Sequence, residues 1–174
     1  MVKAIQGMKK VLFFQSLDDT TTDGNELRLA FQTEHTLTME REELEELTKD
    51  GTLKDTGEIS ATLDFTSYVA KGDKTYQLLK RAFKANEELQ VWEVDVTEPN
   101  EDGEYEAVYV RGKLISFEES AGDSYSELSS EVAVNLVPQD GTVTLSPEEF
   151  TAIQYAFKDF GALAAESAGT SGGE

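Results

Sequence analysis

The chain has 174 residues and a mass of 19.2 kDa, enough for one domain with a core of its own. It contains no cysteine, which excludes a disulfide framework, a thiolate metal site and a cysteine nucleophile. Fifteen Lys and Arg against 35 Asp and Glu give a formal charge of −20, which excludes tight binding to nucleic acid or to an anionic membrane surface. No apolar run approaches the roughly 18 residues of a membrane span. The opening Met1-Val2-Lys3-Ala4-Ile5-Gln6-Gly7 lacks a signal-peptide stretch, so synthesis in a reducing cytoplasm is expected.

Most of the chain reads as short strands. Val11-Leu12-Phe13-Phe14 is the first. Leu27, Leu29 and Phe31 then alternate with polar or small residues, and Ile59, Ala61, Leu63 and Phe65 repeat that period-2 pattern. Between them, Glu40 to Gly57 holds seven acids, three bases and three leucines. Its first half has the spacing of a short amphipathic helix, but too little apolar surface to order itself. The stretch 38–57 is therefore expected to be a long flexible loop.

After Gly72, Asp73 is a good N-cap, and Tyr76, Leu79 and Phe83, with Leu78 and Ala82, form an apolar stripe at helical spacing. Lys74, Lys80, Arg81 and Lys84 then point outward. Val91 to Val96 reads as a strand with Trp92, Val94 and Val96 on its buried side. Tyr105 to Phe117 is a longer strand pattern, broken or bent at Gly112. Leu128, Val132, Val134 and Leu136 make the last strand, before Pro138 and an Asp140-Gly141 turn. Ser146-Pro147-Glu148-Glu149 opens a second helix with Phe150, Ile153 and Phe157 on one face, ending near Gly161. The Gly, Ala and Ser of 161–174 imply a flexible tail. Such a succession of strands and turns implies a mainly β sandwich or barrel, one domain over residues 1–160.

Charge is segregated along this chain. Glu93 to Glu106 holds seven acids and no base, and Glu118 to Glu131 holds five acids and no base. Lys71 to Lys84 holds five bases and one acid, Asp73. In a self-associating protein this pattern draws one face of a copy to another face of its neighbour.

Motifs for chemistry are absent. His35 is the sole histidine, a surface or rim residue by its setting, with no partner type for a metal site. There is no Gly-x-Ser-x-Gly elbow and no glycine-rich phosphate loop. Asp19 to Gly24 imitates the first half of a calcium loop, but the position that requires a bidentate Glu is Ala30. No enzyme, cofactor or metal is expected.

Several stretches in order carry a resemblance: Ala4-Ile5-Gln6-Gly7, Leu29-Ala30-Phe31-Gln32-Thr33-Glu34-His35, Thr48-Lys49-Asp50-Gly51, Gly72-Asp73-Lys74-Thr75-Tyr76, Leu89 to Asp95, Gly112 to Glu119, and Ala152 to Phe157. Together the chain resembles the major tail tube protein family of long-tailed phages. The resemblance implies a β-sandwich with a flanking helix, forming hexameric rings that stack into a hollow tube of the virion tail. Four strands of each subunit would join a closed inner barrel, and the 38–57 stretch would be the family's long β-hairpin loop, reaching into the adjacent ring. Its partners would be further copies of itself, the tape measure and other tail proteins, with DNA passing through unbound and no membrane involved. Thr48, Lys49, Asp50, Gly51 and Lys54 are then the candidate inter-ring loop. Glu93, Asp95, Glu104, Glu106, Glu118 and Glu119 are candidate lumen acids, and Lys74, Lys80, Arg81 and Lys84 a candidate inter-subunit helix face. A tail terminator or connector that makes a single ring, and an acidic calcium- or ligand-binding β-sandwich, are the alternatives.

Overall fold

The computed structural model describes residues 7–17 and 28–147. The chain divides into two units, Met1–Thr144 and Leu145–Glu174, and every element named here lies in the first. After a 3₁₀ turn at Gly7–Lys9 come β1 (Lys10–Ser16), β2 (Gln32–Thr48), β3 (Gly51–Tyr68), α1 (Lys74–Ala85), β4 (Leu89–Asp95), β5 (Tyr105–Ser120), β6 (Glu127–Val134) and β7 (Gln139–Val143). All pairings are antiparallel, in the order β1-β4-β5-β6-β3-β2, and β7 pairs with the start of β5.

The sheet curls until its two ends meet. The Phe14 ring of β1 lies 4.9 Å from that of Phe65 in β3. The Gln32 side chain at the start of β2 accepts from Leu12 N and donates to Leu12 O, at 2.8 and 2.7 Å. Leu12, Phe14, Leu63, Phe65, Val91 and Val132 fill the enclosed side. There α1 closes the core with buried Leu79 and Ala82, while Tyr76 and Phe83 lean on Phe117. Asp73 caps the helix, accepting from Thr75 N and Tyr76 N, and Asn86 ends it in a left-handed conformation. Burying such a set of aliphatic and aromatic side chains is the main stabilising term, at roughly 1.5–3 kcal/mol for each large one.

Five expectations need correction. Instead of the expected strand, Arg28 makes only an isolated bridge to Phe13 and Ala30–Phe31 is a turn: Leu29 is buried, while Phe31 takes φ 51° and is exposed. Asp73 accepting from Ala30 N and the Gln32 amide donating to Leu29 O hold that turn. In β4 the residues of the main core are Leu89 and Val91. Trp92 and Val94 share the other face, where Trp92 meets the Tyr109 ring at 5.3 Å, and Val96 falls beyond the strand. Both faces of β4 are covered, so alternation does not single one out.

β5 runs unbroken through Gly112, and its irregularity lies between Leu114 and Ser116. Gly112 is needed for close approach instead: a Cβ there would stand 2.1 Å from the Ala133 carbonyl oxygen. Asp140 and Gly141 lie within β7, and Leu136 is exposed past β6. Finally, Glu40 to Gly57 is neither the short helix nor the flexible loop its composition implies but the outer part of the β2–β3 hairpin, in keeping with the β-hairpin loop that the resemblance implies. Cross-strand pairing orders it where burial does not. The expected helix from Ser146, apart from Ser146 and Pro147, the tail 161–174 and the calcium-loop-like Asp19–Gly24 lie outside the described residues.

Candidate functional site

The β2–β3 hairpin projects as an arm. Its base is an irregularity between Arg41 and Glu43, braced by the Arg41 guanidinium donating to Gly57 O at 2.9 Å. Beyond it, Glu43–Thr48 pairs with Gly51–Thr56, a ribbon about 20 Å long at 3.3 Å per residue. Thr48, Lys49, Asp50 and Gly51 form the tip, where Thr48 Oγ1 donates to Gly51 O and Gly51 takes φ 136°. Lys54 sits on one face between Glu43 at 2.9 Å and Glu45 at 3.9 Å. These groups are mostly solvent-exposed, so the pairs add little stability. Leu44, Leu47 and Leu53 are exposed on the same ribbon.

The candidate lumen acids do not gather on one surface. The Glu93 carboxylate takes Lys10 Nζ at 2.6 Å and His35 Nε2 at 2.9 Å, and its side chain is only 11% exposed. The hydrogen bond from His35, aided by Lys10, holds its carboxyl at about 2, well below the ordinary 4.5. Asp95 accepts from Thr97 in the turn after β4. Glu104 accepts from Thr142 Oγ1 of β7, and Glu106 is exposed opposite the same residue. Glu119 accepts from the Tyr76 hydroxyl at 2.7 Å on the helix side, which raises the Tyr76 pKa. Glu118 lies on the opposite, open face. His35 is not a rim residue either, with its side chain 10% exposed in the pair with Glu93.

That open face is the acidic surface. Register places Glu34, Thr36, Thr38 and Glu40 of β2 beside Thr66, Asp64, Thr62 and Ser60 of β3. The rows continue into Ser129, Glu131 and Ala133 of β6, and into Glu118, Ser116 and Lys113 of β5. Glu34, Glu40, Asp64, Glu118 and Glu131 thus share one polar face of four strands, turned away from the core. Of these, only Glu118 is among the candidate lumen acids, although Glu131 ends the same acidic run. The others were visible as polar partners in an alternating strand, once β2 is paired with β3.

The basic side is α1. Lys80, Arg81 and Lys84 line a shallow groove with Gln77 and Ala85, and Lys74 opens the helix. Arg81 pairs with Glu87 at 3.2 Å, and Lys80 Nζ stands 5.6 Å from the Tyr76 ring centre. Among the described residues, no cluster of three or more His, Asp or Glu is set to hold a metal ion. None of their helices is long and apolar enough to cross a membrane.

Comparison with known proteins gives this arrangement its family. The profile of the phage tail tube protein family matches residues 4–140, most of the chain. The chain belongs to that family. It is a protein of the phage virion, in its tail. Tail tube protein gp17.1* of Bacillus phage SPP1 is 29% identical over 170 residues. Those residues cover 95% of this chain, which spans 64% of that relative's length. The solved SPP1 tail tube superposes with a TM-score of 0.76 at 24% identity, covering 98% of this chain and 96% of that one. The tail of an empty gene transfer agent particle, refined with C6 symmetry, superposes at 0.58 and 12% identity, over 79% of this chain and 99% of the other.

Proposed function

We propose that the chain is a non-catalytic subunit that closes laterally into rings and stacks as a tube, a passive acidic conduit for DNA. One observation carries this reading: the four strands β2-β3-β6-β5 make a segment open at both edges. β2 pairs only with β3, and residues 113–120 of β5 pair only with β6 among the described residues. β2 runs towards the arm and β5 away from it, so the two edges run in opposite directions. A rotation about an axis along the strands brings β5 of one copy antiparallel beside β2 of the next. Repetition leaves no free edge, which disposes of the aggregation risk of a long unpaired strand.

In such a ring the face bearing Glu34, Asp64, Glu118 and Glu131 would line the bore. A basic lining would hold phosphates and release counterions, binding the genome tightly; an acidic one lets it slide. The arm would carry contacts between rings, as the candidate residues Thr48 to Lys54 suggest. C6 symmetry in the gene transfer agent tail supports six copies per ring.

Electron micrographs of the purified protein test the reading. Long hollow tubes are expected from the intact chain. Deleting Asp50–Lys54 is expected to leave a cooperatively melting protein that makes no long tubes. Single rings alone from the intact chain would favour a terminator or connector, and normal tubes from the deletion would remove the arm from the assembly.

A further inference from the structure

We propose that Lys113 is the register key of the ring: it pairs with Glu40 of the next copy and fixes how β5 of one copy joins β2 of its neighbour. The proposal rests on the ring reading and names the residues that set its seam.

Lys113 is the odd charge on its surface. Short of the arm, the open face of the four strands carries Glu34, Glu40, Asp64, Glu118, Glu127 and Glu131. Lys113 is the one base on that face among the described residues. Its neighbour across β6 is Ala133, so no carboxylate opposes it inside the sheet, and it makes no ion pair within the copy. It stands at the rim, where the second edge of β5 first becomes free. A lone cation at the free rim of an acidic sheet is placed to meet an acid of a neighbouring copy.

Three separate requirements select one register. The first is parity: paired strands share faces, so Lys113, Ser116, Glu118 and Ser120 must meet Glu34, Thr36, Thr38 and Glu40. The second is length. β5 is free from Lys113 to Ser120, because Gly112 already pairs with Leu89 of β4. Ile115 lies in the irregularity and takes no partner, so this edge offers seven ladder positions. β2 is regular from Glu34 to Arg41, between its two irregularities. Only Lys113 opposite Glu40, and hence Ser120 opposite Glu34, keeps the whole free edge on that regular run with parity preserved.

The third is chemistry. In this register Lys113 meets Glu40, Glu118 meets Thr36, and no two carboxylates oppose each other. On the core side Leu114 covers Met39, which is 56% exposed in the single copy, and Phe117 meets Leu37. Shifted two residues away from the arm, Glu118 would oppose Glu34. Shifted two residues towards it, Leu114 would face Arg41 and Glu119 would face Leu37. Like charges directly across a ladder are unfavourable, and so is a charge set against an apolar group.

The register has a geometric consequence. Within one copy Thr38, Thr62, Ala133 and Lys113 lie in one row across the strands. Setting Lys113 against Glu40 therefore displaces each copy by two residues, about 7 Å along the strands. Four strands span about 19 Å, so a flat ring requires them to tilt by about 20° from its axis.

Charge reversal tests the key. Lys113→Glu sets two acids against each other at every seam, and Glu40→Lys sets two bases. Each is expected to melt as the intact chain does and to yield about tenfold fewer tubes or less. Lys113→Glu/Glu40→Lys is expected to restore the yield. Normal tubes from either single variant, or no recovery in the double, overturn the proposal. The register is read separately by disulfides, since the chain has no cysteine. Ser116→Cys/Thr38→Cys, assembled and treated with diamide, is expected to give a ladder on a non-reducing gel that collapses with reductant. Two strands lie between these positions within one copy, so any such bond joins copies. A ladder from Ser116→Cys/Thr36→Cys in its place, or from neither pair while tubes form, also overturns the register. If the intact chain forms neither rings nor tubes, the ring reading itself fails; tubes with another register leave that reading standing and remove the key alone.

Discussion

Glu93 shows how much one carboxylate can do in an acidic chain. It is almost wholly enclosed, with Lys10 and His35 on its two oxygens. Through His35 it ties β2, the strand that carries the arm, to β4 on the far side of the curled sheet. Its carboxyl is held at about 2 against an ordinary 4.5. The stability it contributes is therefore fully present above about pH 4.5 and is lost as pH falls towards 2. The linkage corresponds to about 3 kcal/mol at most. Glu93→Gln should melt well below the intact chain at pH 7, and the gap should shrink steadily between pH 4.5 and 2. Thermal melts at half-unit pH steps check this, and a constant gap would remove the clamp. None of this is legible from sequence. His35 and Glu93 are far apart in the chain, and only the curl of the sheet brings them within 2.9 Å.

At the scale of elements, sequence and structure agree where local chemistry decides. α1 starts at its Asp73 cap and buries Leu79 and Ala82, because a cap and a 3.6-residue stripe are complete in one short window. They part where the deciding partner is distant. In β5 the irregularity near Ile115 switches the core side from Val108, Val110 and Leu114 to Phe117, so strict alternation fails halfway along. The arm reads as helix or loop because no face of it is buried, leaving no period-2 signal. Gly112 is the informative residue of β5. It looks like a strand breaker, yet it sits where β4 and β6 flank β5 on either side, opposite Leu89 and Val134. Gly112→Ala would drive a methyl into the Ala133 carbonyl, and neither β strand can retreat without breaking its ladder. A loss of about 3 kcal/mol is expected from overpacking. Chemical denaturation should show a lower midpoint with an unchanged slope. A variant as stable as the intact chain would mean that β6 yields freely.

For the whole molecule, the net charge of −20 resolves into a distribution with a direction. Acids line the open face of four strands and crowd the arm, while bases gather on α1. Solubility alone would scatter them over the surface, and no such segregation would follow. In the proposed ring a closed bore would concentrate its lining: each copy would contribute Glu34, Asp64, Glu118 and Glu131, repeated around the axis. The field inside such a bore repels a polyanion from every side at once, which keeps DNA centred and mobile. Combining Asp64→Lys, Glu118→Lys and Glu131→Lys reverses three charges on surface positions that lie outside the core cluster, so tubes should still form. Those tubes should retain a short fluorescent oligonucleotide on sedimentation at low salt, where tubes of the intact chain leave it in the supernatant. Raising the salt should release it steeply, because each phosphate contact surrenders a counterion. Retention that is equal for both proteins, or indifferent to salt, would mean that this face does not line the bore. The same three changes at the outer surface would leave DNA on the outside of the tube. Nuclease protection separates the two cases, since an oligonucleotide held within the bore resists digestion and one held outside does not.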